Sequence, residues 1–141
     1  MDREILFRGQ TRRKGEKVNM AGEPVDGNWV YGGILQGTGD FSIIYGSADP
    51  DNISVSKIEK HVVYTDTVGQ YTGLTDKYGV KIFEGDIVHV IYWDETDVYW
   101  RMGAWLLRFS DSDEFLAEVV EDCVVIGNIH DNPELIGGND D

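Results

Sequence analysis

Nucleophilic catalysis needs a Ser or Cys beside a base that a third group orients. The raw material for it here is one cysteine and three histidines. His61, His89 and His130 lie far apart in the sequence, and no Ser occupies a G-x-S-x-G turn. Cys123 sits in the apolar run DCVVIGN, the setting of a small buried hydrophobe rather than of a reactive thiolate. A single Cys permits neither an intrachain disulfide nor a thiolate zinc cluster. His89 alternates with Ile87, Ile91 and Trp93, which predicts a satisfied core histidine on a covered strand. No catalytic residue is assigned.

Carboxylates are abundant but badly spaced for metal. Asp49-Pro50-Asp51-Asn52 begins like a calcium loop. Ile53 then takes the fifth position, Ser54 replaces the turn glycine, and Lys60 stands where the bidentate Glu belongs. Asp111, Asp113 and Glu114 read as a solvated acidic loop. The glycines of residues 32–39 do not spell G-x-G-x-x-G, and the next segment reads as a strand. No helix N-terminus therefore waits for a phosphate, and a glycine-rich hairpin is expected. No metal site, cofactor site or cofactor is expected.

One cluster stands above that background. Tyr92, Trp93, Tyr99, Trp100 and Trp105 lie within 14 residues, on two expected strands joined by an acidic turn. Aromatics at that density either fill a barrel core or form a protein-contact patch, where Trp and Tyr are favoured anchors.

The elements that position these residues are mostly extended. Runs at 5–7, 29–35, 41–45, 61–64, 70–72, 87–93, 98–109, 115–120 and 123–129 are rich in β-branched and aromatic residues. Gly, Asn, Asp or Pro bounds them. Gly103 inside the run 98–109 predicts a bend or bulge. Asp76-Lys77-Tyr78-Gly79 and Glu84-Gly85-Asp86 read as tight turns, and Asp94-Glu95-Thr96-Asp97 as the connection between two aromatic strands. Helix signals are weak: Asn132-Pro133-Glu134-Leu135 predicts a cap and one turn, and β-branched residues argue against a helix over 52–59. The expected fold is mostly β with little helix. An N-terminal β region with a long polar loop spans 1–66, a compact SH3-like, barrel-like β unit spans 67–136, and a flexible tail spans 137–141.

Charge narrows the partners. The 141 residues hold 12 Lys and Arg against 26 Asp and Glu, a formal charge of −14. Residues 1–17 carry six bases and three acids; the rest of the chain carries six and 23. Such a surface repels nucleic-acid phosphate. No apolar run reaches the roughly 18–20 residues of a membrane span, and the triplet Ile5-Leu6-Phe7 is too short for a secretory core. A cytoplasmic protein without membrane or nucleic-acid partners is expected.

Four phrases carry a resemblance. They are ILFRGQ at 5–10, NWVYGG at 28–33, TVGQYTGLTDKYGVKIFEGDIV at 67–88 and VIGNIHDNPELI at 125–136. In that order they resemble the YopX family of phages and prophages. The resemblance implies a β-rich fold and a phage or mobile-element origin, in a family without an established biochemical activity. By its residue types alone, the central phrase is strand, turn, short strand, turn, strand, with Gly73, Gly79 and Gly85 expected at reversals. The expectation is a non-enzymatic protein acting through protein–protein contacts as a homo-oligomer, with a host or phage protein as the other partner class. The alternative is an acidic mimic that occupies a host nucleic-acid-binding protein.

Overall fold

The computed structural model describes residues 3–19, 22–23, 28–109 and 111–136. The tail expected at 137–141 and part of the polar loop lie outside these residues. Eleven strands, one four-residue helix and short 3-10 turns make up the regular structure of the described residues, so the fold is mostly β. The chain divides into two units, Met1–Gln70 and Tyr71–Asp141.

In the first unit, β1 (Phe7–Gln10), β2 (Trp29–Leu35), β3 (Phe41–Ser47) and β4 (Glu59–Tyr64) form an antiparallel ladder in the order β4-β3-β2-β1. Gly69 and Gln70, which open β5 (Gly69–Thr75), pair with the free side of β1. The two-residue period of a strand sorts the side chains. Val30, Ile44 and Val63 form the core with Phe7, Ile34 and Val68 against them, and the neighbours of Ile44 along β3, Ile43 and Tyr45, face the other way. The ladder curls far enough for Val63 of β4 to pack on Gly9 of β1. A Cβ on Gly9 would stand 2.8 Å from the Val63 Cγ2. Thr67 fastens this curl: its hydroxyl accepts the Gln10 N–H at 2.8 Å and donates to the Tyr64 carbonyl at 2.6 Å.

In the second unit, the rest of β5 pairs with β6 (Lys81–Phe83). A five-stranded antiparallel sheet follows in the order β10-β9-β8-β7-β11. Its strands are β7 (Asp86–Val90), β8 (Glu95–Arg101), β9 (Ala104–Arg108), β10 (Asp113–Phe115) and β11 (Cys123–Asn128). The helix α1 (Leu116–Val119) drops Leu116 onto this sheet. Ile82, Val88, Val90, Val98, Leu107, Leu116 and Cys123 make one buried cluster.

The turns of the central phrase are built by two buried carboxylates and two glycines. Gly79 and Gly85 hold φ of 84° and 89°, conformations that a Cβ disfavours. Asp76 Oδ1 accepts the N–H groups of Tyr78 and Val80, and its Oδ2 reaches across to the Val125 N–H of β11 at 2.9 Å. Asp86 Oδ2 accepts the Phe83 N–H at 2.7 Å, clamping the β6–β7 reversal. Gly73 lies inside β5 at a register shift, so it forms a bulge and not a reversal. In the last phrase, Asn128 Oδ1 accepts the N–H groups of His130 and Asp131, and Pro133–Ile136 forms the expected single turn.

Four further local expectations are corrected. β7 ends at Val90, because Tyr92 takes φ 71° and turns the chain before Trp93. The acidic run 94–97 therefore belongs mostly to β8, and the turn precedes it. The run 98–109 is a hairpin and not one bent strand: Met102 (φ 56°) and Gly103 (φ 80°) are both left-handed, as the two central residues of a tight hairpin turn require. Of the expected strand at 115–120 only Phe115 is strand, at the end of β10; the rest is α1 and the start of a 3-10 turn. Ala117 and Glu118 favour helix, and Leu116 gains a core position that way.

Candidate functional site

Adjacent residues of a strand face opposite ways, and this divides the five aromatics singled out in the sequence. Trp100 and Trp105 are cross-strand partners near the β8–β9 turn, with ring centroids 4.6 Å apart. Trp105 packs against the core cluster, whereas Trp100 is exposed. Tyr99 lies on the opposite face, where the Arg108 guanidinium covers its ring at 3.8 Å. Asp97 pairs with Arg108 at 3.1 Å, and the Tyr99 hydroxyl donates to Asp113. That hydrogen bond raises the Tyr99 phenol above its ordinary range. Tyr92 and Trp93 occupy a third place, the β7–β8 turn. The structure does not bring the five together as one patch.

The turn pair has its own surroundings. Trp93 stands edge-on to Phe109, with ring centroids 4.9 Å apart at 89°, and Phe109 rests on the core cluster. Together with Asp94, Asp111 and Glu114 these rings line an open groove. Tyr92 is 97% exposed at its rim. Sequence reasoning singled out Tyr92 and Trp93 but not Phe109, whose partner role depends on the β9–β10 connection.

A second surface lies in the first unit, on strands whose apolar runs at 29–35 and 41–45 carry no Lys or Arg. The register places Leu35, Ile43 and Val62 in one row across β2, β3 and β4, and Phe41 beside Tyr64 in the next. The Phe41 and Tyr64 rings are 5.5 Å apart, and the guanidinium of Arg13 lies 3.9 Å from the Tyr64 ring centroid while pairing with Asp66. Leu35 is 58% exposed, and Phe41, Tyr45 and Val62 are exposed beside it. No carboxylate stands in these rows.

The nucleophile and base candidates remain apart. His89, expected in the core, is half-exposed and meets Glu95 Oε2 at 2.8 Å, because its strand face opens where β7 ends. The same hydrogen bond lowers the Glu95 carboxyl. His61 approaches Glu59 at 3.9 Å. Asp51 N–H bonds Asp49 Oδ1 in a local turn, Asp113 serves Tyr99, and Glu114 accepts from Ser112. Among the described residues, no three His, Cys, Asp or Glu side chains are grouped to hold a metal, and no helix is long and apolar enough to cross a membrane.

Cys123 is fully buried, with its thiol 3.4 Å from the Val119 carbonyl oxygen, and burial pushes its pKa up to about 11. At pH 8 the thiolate fraction is then about a hundredfold or more below that of a free thiol. Iodoacetamide labelling of the native protein is expected to be slower than that of the urea-unfolded chain by at least that factor. Equal rates would show that the thiol is open to solvent.

A family model described as YopX protein matches residues 27–137. Three of the four quoted phrases fall inside that span, and ILFRGQ lies before it. Among solved structures, the chain is similar to the crystal structure of protein EF1440 from Enterococcus faecalis. The two share 23% identity at a TM-score of 0.51, covering 96% of this chain and 99% of that one. At that identity the likeness speaks for the fold alone. No curated protein matches the chain.

Proposed function

The chain belongs to the YopX protein family, and from that premise we propose that it works without catalysis, as a protein-contact module that assembles with copies of itself in a phage-related setting. The observation that carries this reading is the apolar face of β2, β3 and β4, where Leu35, Ile43 and Val62 align across three strands beside Phe41 and Tyr64. Contiguous exposed apolar surface of this kind marks an interaction site. β4 is also an edge strand, paired with β3 alone in the ladder, and free edges invite a partner.

Charge does not oppose contact at this face. Of the 26 acids, 16 fall in residues 71–141 against four Lys and Arg, whereas residues 1–70 hold ten acids and eight bases. At a physiological Debye length of about 8 Å, repulsion between charges farther apart than that is largely screened. A standard interface buries about 800 Å² per partner, enough for burial to prevail.

The expected result is a dimer or small ring by light scattering at micromolar concentration, in low and in high salt. Leu35→Lys and Val62→Lys should each give the monomer mass, with thermal stability nearly unchanged because both side chains are exposed. A monomer mass for the unmodified protein in both buffers would sink the reading. The acid excess of residues 71–141 favours one second reading, an acidic mimic of nucleic acid that occupies a host protein. Its binding to basic host proteins would collapse steeply with salt, whereas apolar self-assembly would survive.

A further inference from the structure

We propose that the groove between the β7–β8 turn and the β9–β10 connection receives a basic side chain, arginine above all, from a segment of a partner protein. This stands on observations separate from the apolar face of the first unit.

The turn holds its aromatics outward at some expense. Tyr92 adopts φ 71°, a left-handed conformation that bulky side chains rarely take. The turn is tied down by the Trp93 N–H to Val90 carbonyl bond at 2.8 Å and the Ile91 N–H to Asp122 carbonyl bond at 3.0 Å. The outcome is a tyrosine almost wholly in solvent beside a half-exposed tryptophan that Phe109 props edge-on. Strain that presents an apolar ring to water makes no sense for packing, and such outliers gather at binding sites.

The surroundings identify what would bind. Elsewhere this chain twice places an arginine against an aromatic ring with carboxylates beside it. Arg108 covers Tyr99 at 3.8 Å with Asp97 in contact, and Arg13 covers Tyr64 at 3.9 Å with Asp66 in contact. The groove repeats the rings and the carboxylates, as Tyr92, Trp93, Asp94, Asp111 and Glu114. Among the described residues that line it there is no Lys or Arg. A guanidinium from outside would complete the same arrangement through cation–π attraction and charge-assisted hydrogen bonds. The 16 acids against four bases in residues 71–141 would steer such a cation inward and turn phosphate away.

The test is fluorescence anisotropy with a fluorescein-labelled peptide of three arginines spaced by glycines, added to the full chain. Saturable binding is expected, and Trp93→Ala and Asp111→Asn should each weaken it about five-fold or more. Tyr92→Ser, at a position 97% exposed where a smaller side chain opens no cavity in the core, should weaken it about two-fold or more. Glu121→Gln removes the same charge elsewhere on the unit and should leave binding unchanged. No saturation up to millimolar protein overturns the proposal, as does equal weakening by Asp111→Asn and Glu121→Gln. Tighter competition by an unlabelled peptide copying residues 11–17 overturns the partner assignment in favour of a second copy of this chain.

Discussion

Asp76→Ala is expected to destabilise the protein by about 3 kcal/mol, since hydrogen bonds to a charged acceptor contribute roughly 1.5–3 kcal/mol each and are not fully additive. The carboxylate is 6% exposed and accepts three backbone N–H groups, from Tyr78 at 2.8 Å, Val80 at 3.0 Å and Val125 at 2.9 Å. The first two close the turn after β5; the third joins that turn to β11, 49 residues away in sequence. Alanine removes both acceptor oxygens, and with them all three bonds, at once. The Tyr78 and Val80 amides, on exposed residues, can turn to water, which keeps the loss below the sum of the parts. Asp76→Asn keeps one acceptor oxygen and points an amide NH₂ at a donor, so it should lose about half as much. Urea titration checks this: the midpoint should fall with the slope unchanged. A change of less than about 1 kcal/mol for Asp76→Ala would show that the three bonds add nothing beyond what water supplies.

That dependence on one carboxylate marks where sequence reasoning succeeds and where it ends. Asp76-Lys77-Tyr78-Gly79 is readable as a turn because Asp and Gly each have a local reason to be there. The bond from Asp76 to Val125 has no local sign, since nothing in either segment tells which strand passes the turn. The same limit explains β7. Alternation of apolar residues runs on through Trp93, and only the left-handed Tyr92, a residue type with no turn preference, ends the strand. Met102 misleads in the same way at the β8–β9 hairpin, where an Asn would have announced the turn. The adjacent Val119 and Val120 look like strand, yet α1 forms because Leu116 needs a place in the core.

The candidate surfaces were visible in part for a related reason. Residue type reveals that Tyr92, Trp93, Tyr99, Trp100 and Trp105 are numerous, and strand period alone separates Tyr99 from Trp100. Which rings meet solvent depends on partners brought in from elsewhere, such as Phe109 against Trp93 and Arg108 over Tyr99. The face of β2, β3 and β4 depends on register in the same way. Leu35, Ile43 and Val62 are 27 residues apart end to end, and only the pairing makes them neighbours.

Register also underlies the second large expected effect, Gly46→Ala. Gly46 of β3 stands opposite Gly32 of β2, and the two strands approach so closely there that neither position has room for a side chain. A Cβ on Gly46 would lie on the Tyr31 carbonyl oxygen and 2.8 Å from the Gly32 Cα. The obstacle is backbone, so no rotamer change relieves it; β2 and β3 must part, and ladder hydrogen bonds go with them. The expected loss is about 3 kcal/mol or more, at the upper end of overpacking plus broken ladder bonds. Gly33→Ala supplies the internal comparison, one residue along β2, where a Cβ meets nothing within 4 Å. There alanine should be neutral or stabilise by up to about 1 kcal/mol, because it restricts the unfolded chain. Amide hydrogen exchange across β2 and β3 reads the difference locally, with protection lost in Gly46→Ala and kept in Gly33→Ala. If the two variants exchange alike and melt together, the close pairing of Gly32 with Gly46 does not exist in solution. The row of Leu35, Ile43 and Val62 would then lose its basis, since the same register sets both.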